Sequence, residues 1–492
     1  MLFLALAIGL ASAGADADLW GHVRFGQDLL ASHSPVLADS HSFTADKPWI
    51  NHEWLAEVAM ASAFAALGSL GLNLLRLACL AVIALLIWRR LSAFNPPARI
   101  LDALVVVAML GVQSRAAQVR PQMFSLLLFS VLLTILTDVD RRGDRRVMLL
   151  IAPLMALWAN LHGGWIVGLE CLVTWAGCNL LLGPPGASED RGRELVPSAQ
   201  RIVLVAIVMS AALATALNPY GVRLWWFLLD TVRMNRPYIE EWQPVYRLQG
   251  WAWLFWLLPA GLAVAAAIRS KNRLQPRYAL VVLFLAVTSL FVSRLDAFFT
   301  LAVSFLMAEP LAANWPHRTV GVHAQRRIQL LRPALAVVVI AALPLIASRA
   351  TRIQIGHPPM PEREAVEFIQ RAGLRGRVLV WFDWGEYVIW HFSPQLRVSI
   401  DGRRETVYSD ELIANHMAFY LGDSTVIDLP TRLSADYVWL PKWIPVVPKL
   451  RNSGWAPVFE GPQSIVLARS GADIHPLRLV STDAEIRVFP GP

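Results

Sequence analysis

Apolar runs separated by short polar stretches fill the first 350 residues of the chain. Each run approaches the length of about 20 residues that a helix needs to cross the hydrocarbon core of a membrane. We therefore predict eleven membrane-spanning helices. They are residues 1–15, 70–90, 100–117, 121–138, 147–162, 164–183, 201–217, 251–268, 277–293, 296–312 and 331–349.

The longest interruption, residues 16–70, has helical spacing near both of its ends. DLWGHVRFGQDLLAS places apolar residues on one side of a helix, and NHEWLAEVAMASAFAALG begins with an Asn N-cap and ends at Gly68. The stretch between them, HSPVLADSHSFTADKPW, is rich in turn residues. We predict two helices along the membrane surface, joined by an irregular segment and covering a cavity between the spans.

Beyond residue 350 the pattern changes to shorter elements. PEREAVEFIQRAG and SDELIANHMAFY predict helices, whereas RVLVWFD, LRVSI, ADYVWL and SIVLAR predict strands. This alternation predicts a small α/β domain at 351–492, after a membrane domain at 1–350. The predicted fold class is mainly α: a polytopic membrane helical bundle with a small C-terminal α/β domain.

The composition agrees with this division. The 492 residues are 56% hydrophobic and 16% charged, whereas soluble domains are about one quarter charged. The net charge of +8 comes mostly from short loops between apolar runs, which indicates membrane topology rather than nucleic-acid binding. The three cysteines lie inside apolar runs, and their spacing fits neither a disulfide framework nor a metal site.

Arginine and lysine concentrate in the loops after spans two, four, six, eight and ten. The positive-inside rule assigns these loops to the cytoplasm. We therefore predict a cytoplasmic N-terminus and an extracytoplasmic region after residue 350. The first residues could instead be a signal peptide ending at Ala11-Ser12-Ala13, although no Lys or Arg precedes the apolar run.

Acids, histidines and isolated arginines concentrate on the opposite, outer side. Polar residues at membrane depth are costly and tend to mark a cavity or a pathway. The outer segments that carry them are DADLWGHVRFG, PWINHEWLAEV, SRAAQVRPQ, NLHGGW, LNPYG, IEEWQP and SRLD. The sequence therefore predicts that any chemistry takes place at the outer face.

These segments, together with RPQMFSLLLF, WANLHGGW, DWGEYVIW and IDGRRETVY, resemble GT-C glycosyltransferases, and more narrowly bacterial membrane proteins of the RgtA/B/C/D-like type. The resemblance covers most of the chain, although Gly21 stands where a second aromatic residue is expected. It implies an enzyme of the bacterial cytoplasmic (inner) membrane, with its C-terminal domain in the periplasm. It also implies transfer of a sugar from a polyprenyl-phosphate carrier to a glycan, lipid or protein acceptor of the cell envelope.

Such a transfer needs a base for the acceptor hydroxyl and positive groups for the departing phosphate. Asp16 and Asp18 are the candidate bases. In an extended stretch they project to the same side, so both could face the substrate or a divalent ion, for which Mg or Mn would suit carboxylate ligands. Alternatively, Asp18 is simply the N-cap of the next helix.

The segment NHEW offers further candidates. Glu53 could be a second catalytic carboxylate and His52 could donate to the phosphate, or both could merely begin a helix, where acids favour the dipole. His22 lies one helical turn after Asp18, so the two could hydrogen-bond in a catalytic or a purely structural pair.

Arg115, Arg120 and Arg294 lie at outer span ends, against the positive-inside trend, and we predict that they bind phosphate. The alternative is that they extend to lipid headgroups, and Asp296 could pair with Arg294. His162, at a break between two spans, is either a substrate-binding or a structural histidine.

Four further residues are candidates for substrate binding. Glu240 and Glu241 form an outer acid pair, which could instead belong to a solvated surface. Asp401 and Arg403 lie near predicted strand ends, where α/β sheets often bind ligands, as do Asp383, Glu386 and Arg404. The alternative for this region is a role in folding or docking.

Two other functions remain open on the sequence alone. A transporter or flippase of a lipid-linked or anionic solute would typically have internal repeats with broken helices, and neither is evident. A non-catalytic envelope scaffold would tolerate substitution of Asp16 and Asp18. The sequence contains no GxGxxG motif and no P-loop, which argues against a nucleotide-sugar enzyme.

Overall fold

The chain forms two compact units in the computed structural model. The described residues are 13–35, 38–182, 198–233, 239–270, 274–313, 315–316, 341, 344, 347–356, 360–478 and 488–491. Residues from Asn73 to Thr351 belong to the first unit, which we call the helical unit. Ala13–Leu72 and Arg352–Pro492 form the second, which we call the mixed unit.

Helices make up the secondary structure of the helical unit, apart from short 3₁₀ turns, among its described residues. They are the second part of α2 (Trp54–Ser92), then α3 (Ala98–Ala116), α4 (Gln122–Arg142), α5 (Ile151–Leu161), α6 (Trp165–Leu182), α7 (Ser198–Ala214), α8 (Arg223–Arg233), α9 (Leu254–Ser270), α10 (Pro276–Phe291), α11 (Asp296–Leu306) and α12 (Ala308–Ala312). Nine of the eleven predicted spans coincide with helices in this order. By length and composition, α2 and α4 can cross a membrane, and the number of crossings stays a prediction.

The Arg76 side chain of the helical unit is buried and paired with backbone and side-chain acceptors. Arg76 is fully buried and donates to the carbonyl oxygens of Ala116 and Ala117 at the end of α3, and to the side chain of Asn73. Carbonyls in the last helical turn have no partner within their own helix. The Arg76 guanidinium therefore supplies donors where the helix itself cannot.

The mixed unit combines helices with two sheets. Its elements are β1 (Ala13–Ala15), α1 (Asp18–Ser32), the first part of α2, β2 (Ile353–Ile355), α13 (Arg363–Arg371), β3 (Gly376–Val380), α14 (Gly385–Phe392), β4 (Leu396–Val398), α15 (Asp410–Tyr420), α16 (Leu429–Arg432), β5 (Tyr437–Pro441), α17 (Val447–Arg451), β6 (Trp455–Glu460), β7 (Ser464–Arg469), β8 (Leu477–Arg478) and β9 (Val488–Phe489). One sheet has the order β1-β2-β9 and the other β4-β3-β5-β7-β6-β8. In the larger sheet β4, β3 and β5 are parallel, and β7 is antiparallel to β5.

Strand β1 corrects the end of the predicted first span. Residues 13–15 are extended rather than helical, because their backbone pairs in parallel with Ile353–Ile355. Two alanines and a glycine have small side chains, so pairing with a distant strand decides their conformation. Residues 1–12 and most of the predicted span 331–349 lie outside the described residues.

The long loop 16–70 contains the two predicted helices. The first is α1, and the second begins at Trp54 and is interrupted at Leu67 and Gly68, where φ is −142° and +60°. The structure groups residues 13–72 with 352–492, whereas the prediction assigned this loop to the membrane domain. Helix α1 packs against α14, where the Trp20 and Tyr387 rings meet edge to face at 4.9 Å.

Close packing of α1 against the start of α2 depends on Gly26. A Cβ atom at this position would lie 2.1 Å from the carbonyl oxygen of Glu57, which belongs to the backbone. We expect Gly26→Ala to lower stability by about 1–3 kcal/mol, because the two helices must move apart. Thermal unfolding of the purified protein would measure this as a lower Tm.

The matched control is Gly14→Ala in the same unit, where an added Cβ would be 3.9 Å from the nearest oxygen. An equal Tm for the two variants would contradict the packing argument.

Candidate functional site

The two early aspartates lie at the junction between β1 and α1 in the mixed unit. Asp16 directly follows the strand, and Asp18 is the first residue of the helix. Both side chains are half-buried. The N-cap position belongs to Ala17, without a capping side chain, so the alternative that Asp18 is the N-cap is wrong.

A buried carboxyl group adjoins Asp18. Glu386 on α14 is 4% exposed, and its Oε2 accepts the backbone N–H of Gly21 at 3.1 Å. A Cβ atom at Gly402 would lie 2.5 Å from Asp18 Oδ1 and 2.7 Å from Glu386 Oε1. The two carboxyl groups therefore border the same small space, which only glycine leaves open.

Burial and nearby negative charge raise the pKa of two acids beside Asp18. Burial, followed by the charges of Asp18 and Asp401, raises the pKa of Glu386 well above its usual range. Burial and the charge of Asp18 likewise raise the pKa of Asp383 to about 7, against the charge of Arg404. Both shifts favour the protonated form of the carboxyl group.

The histidines and Glu53 form a second group beside Asp18. His22 Nδ1 lies 3.5 Å from Glu57 Oε1 and 3.8 Å from Glu53 Oε2, and His52 Nε2 lies 3.6 Å from Glu53 Oε1. Burial lowers the pKa of His22, but the hydrogen bond to Glu57 and the charges of Glu53, Glu57 and Asp18 outweigh it, so the net pKa is raised.

The charge of Asp18 thus contributes to the raised pKa of His22, whereas the ion-pair contacts of His22 are with Glu53 and Glu57. No sequence pattern used above pointed to Glu57 or to the proximity of Glu386 to Asp18. The spacing of Glu53 and Glu57 by four residues could have indicated Glu57, because residues four apart share one face of a helix.

Asp401 and Arg403 bind each other. Arg403 Nε and Nη2 donate to the two oxygens of Asp401 at 2.9 and 2.7 Å, and Nη1 donates to Asp39 at 2.8 Å. The guanidinium also lies 4.9 and 4.7 Å from the centres of the Phe25 and Trp49 rings. This geometry favours a structural role, and substrate binding by the pair stays a prediction.

No group of three or more His, Cys, Asp or Glu side chains among the described residues is arranged to hold a metal ion. The arrangement of the described residues therefore gives no support to the hypothesis that Asp16 and Asp18 bind Mg or Mn.

The predicted phosphate ligands meet in the helical unit. Arg120 Nη1 lies 2.7 Å from Glu241 Oε1, and Arg115 Nη1 lies 3.8 Å from Glu241 Oε2. Arg115 also donates to both oxygens of Asp296, at 3.1 and 3.2 Å. Asp296 therefore pairs with Arg115, in place of the Arg294 pairing that the sequence suggested. We call Arg115, Arg120, Arg294, Glu241, Asp296 and His162 the basic cluster.

His162 lies at the edge of this cluster, beside Arg294. Its Nδ1 accepts the backbone N–H of Gly164 at 2.9 Å and lies 2.8 Å from Ser125 Oγ. Its Nε2 lies 3.4 Å from Arg294 Nη2, and a guanidinium can only donate hydrogen bonds. Arg294 therefore places a charged donor next to His162, and charged donors bind anions strongly.

Glu241 shows the excess of positive charge in the cluster. Burial opposes its ionisation, but the charges of Arg294, Arg120 and Arg115 outweigh burial and lower its pKa to about 2. Three guanidinium groups face two carboxylates, so the cluster retains one positive charge. The side chain of Glu240, its predicted partner, lies outside the described residues.

Three solved structures resemble nearly the whole chain. ArnT from Cupriavidus metallidurans, bound to undecaprenyl phosphate, has a TM-score of 0.52 and 14% identity over 97% of this chain and 99% of its own. The oligosaccharyltransferase of Archaeoglobus fulgidus, in complex with Zn and sulfate, has a TM-score of 0.51 and 12% identity over 96% and 73%. The chain has the GT-C glycosyltransferase fold.

The arabinofuranosyltransferase AftD from Mycobacteria also has this fold, with a TM-score of 0.51 and 15% identity over 96% of this chain and 40% of AftD. No protein-family model and no curated protein matches the sequence. The predicted GT-C fold is therefore confirmed, while the narrower RgtA/B/C/D-like group stays a prediction.

The lowered pKa of Glu241 makes stability depend on pH. Because the pKa falls from 4.5 to about 2 on folding, ionised Glu241 stabilises the fold fully above about pH 4.5, and this contribution disappears as the pH falls through about 2. We expect Glu241→Gln to cost about 3 kcal/mol at pH 7, with a difference from wild type that shrinks on acidification. Thermal unfolding between pH 7 and pH 2.5 measures it.

Asp230→Asn, which removes an exposed acid from the same unit, is the control and should leave Tm unchanged. A Glu241→Gln difference independent of pH would refute the electrostatic explanation.

Proposed function

We propose that the protein is a membrane glycosyltransferase that moves a sugar from a polyprenyl-phosphate carrier to an envelope acceptor outside the cytoplasmic membrane. The observation that supports this best is the shared GT-C fold across 97% of this chain and 99% of ArnT, whose structure contains undecaprenyl phosphate. The acceptor is a glycan, lipid or protein of the envelope.

Asp18 is the proposed base. Its carboxylate takes the proton of the acceptor hydroxyl as the acceptor oxygen forms a bond to the anomeric carbon. The bond between that carbon and the carrier phosphate breaks, and its electron pair leaves with the phosphate. The raised pKa of Glu386 supports this assignment, because it favours the protonated form of Glu386, which cannot accept a proton.

Asp16 and Glu53 are proposed to assist at the same site. Asp16 follows β1, two residues from Asp18, so it can orient the acceptor through a second carboxylate. Glu53 lies beside His22 and His52, and these rings would hold polar groups of the substrate. Their half-buried positions leave room for such contacts.

The basic cluster is the proposed binding site of the carrier phosphate. Phosphate leaves with increasing negative charge, which fixed donors stabilise better than water does. Arg294 supplies a charged donor beside His162, and Arg120 and Arg115 hold Glu241 between them. Positive charge in excess of the two carboxylates is the feature that favours an anion here.

Substitution of the proposed base tests the transfer step. We expect Asp18→Asn to reduce transfer from undecaprenyl-phosphate-linked sugars in proteoliposomes by about 10²- to 10⁴-fold, because the amide cannot accept the proton. The control, Asp473→Asn, removes an exposed acid from the same unit and should transfer normally. Full transfer by Asp18→Asn, with a wild-type Tm, would remove the base assignment.

Substitution in the basic cluster tests carrier binding separately. Arg294→Gln should raise the KM for the carrier, or the Kd for undecaprenyl phosphate, by about tenfold or more, since a half-buried charged contact with the phosphate is lost. Arg363→Gln changes an exposed arginine of α13 and serves as the control. If both variants bind undecaprenyl phosphate as wild type does, the phosphate lies elsewhere.

A further inference from the structure

The parallel part of the larger sheet contains a change of chain direction. From β3 the chain runs to its neighbour β4 on one side, and then crosses to β5 on the other side, giving the order β4-β3-β5. In open α/β sheets, ligands bind beyond the carboxyl ends of the strands at such a reversal. That point lies here between the ends of β3 and β5.

Aromatic residues occupy these two strand ends. Trp381 directly follows β3, and Trp443 follows β5 by two residues. Their ring centres lie 5.8 Å apart with the planes at 85°, so one ring presents a face where the other presents an edge. Phe382 follows Trp381 in the chain.

The Trp443 side chain is exposed at the end of β5. It is 51% exposed, and the other large apolar side chains exposed in the described part of the mixed unit are leucines. Trp381 and Phe382 are partly buried against a hydrophobic core of the mixed unit, whereas half of the Trp443 side chain is exposed. A large aromatic surface left open at a reversal point indicates a binding site.

Charged groups border the aromatic surface. The Arg404 guanidinium lies 5.5 Å from the centre of the Phe382 ring, and Asp383 follows Phe382 in the chain. The charge of Asp18 contributes to the raised pKa of Asp383. Asp383 therefore lies close to the proposed base within the same unit. We call Trp381, Phe382, Trp443, Asp383 and Arg404 the aromatic edge.

A pyranose ring fits this chemistry. Its C–H face packs on an aromatic ring, and its hydroxyl groups bond to a carboxylate and a guanidinium, which supply acceptors and donors respectively. A purely apolar ligand would offer no hydrogen bond to the Asp383 carboxyl group that it covers, which is costly.

We propose that the aromatic edge binds a saccharide of the acceptor, and so holds the acceptor hydroxyl near Asp18. The identification of the saccharide as the acceptor rests on the proposed function, whereas binding itself does not. The site would select acceptors that carry a sugar over acceptors that present only a lipid or a peptide.

Binding by the full chain in nanodiscs tests this proposal. The probes are a printed array of defined bacterial envelope oligosaccharides and vesicles of phosphatidylethanolamine and phosphatidylglycerol. We expect wild type to bind at least one oligosaccharide, and Trp443→Ala to bind it about tenfold more weakly or worse. Trp443→Phe, which keeps an aromatic face, should retain most of the affinity.

Leu421→Ala is the matched control, because it removes another exposed apolar side chain, 67% exposed, from the same unit. It should bind as wild type does, and all variants should unfold at the wild-type Tm. Absence of oligosaccharide binding by wild type, or equal binding by Trp443→Ala, would overturn the proposal. A Trp443→Ala defect confined to vesicles would also overturn it and assign Trp443 to the membrane surface.

Asp18→Asn separates this inference from the proposed function. This variant should still bind the oligosaccharide, since the aromatic edge is intact. If wild type transfers no sugar but binds the oligosaccharide through Trp443, the transferase proposal fails and the saccharide site stands.

Discussion

Parallel pairing of β1 with β2 is the constraint on which the candidate site depends. It joins Ala13–Ala15 to Ile353–Ile355 and so fixes the residues that immediately follow β1, including Asp16 and Asp18. Packing of α1 on α14 then holds Asp18 next to Glu386. Without this pairing, the acid pair would lie on an unanchored segment and its neighbours would be undefined.

Charge is arranged differently in the two units. In the mixed unit, acids outnumber cations around Asp18, and burial raises the pKa of Glu386. In the helical unit, guanidinium groups outnumber carboxylates around Glu241 and lower its pKa. The first environment favours protonation of a carboxyl group and the second favours negative charge.

Buried ion pairs in both units have a structural part as well. The Arg403 side chain donates two hydrogen bonds to Asp401 and one to Asp39. The Arg115 side chain donates two hydrogen bonds to Asp296. Such pairs hold loops in one conformation because breaking either leaves a buried charge without compensation. They include Asp401 and Arg403, which contact each other, while substrate binding by these two residues stays a prediction.

Local patterns in the sequence determined most helices, the sheet strands and the candidate acids, because apolar periodicity and capping act over a few residues. They also indicated Arg115, Arg120 and Arg294 as candidates, because these arginines depart from the positive-inside trend, and His162, because it lies at a break between two predicted spans. Only the tertiary structure decided that residues 13–15 form a strand, that Glu386 adjoins Asp18, and that Trp381 meets Trp443. Each of these depends on contacts between residues far apart in the chain, and no local pattern encodes which distant segments pair.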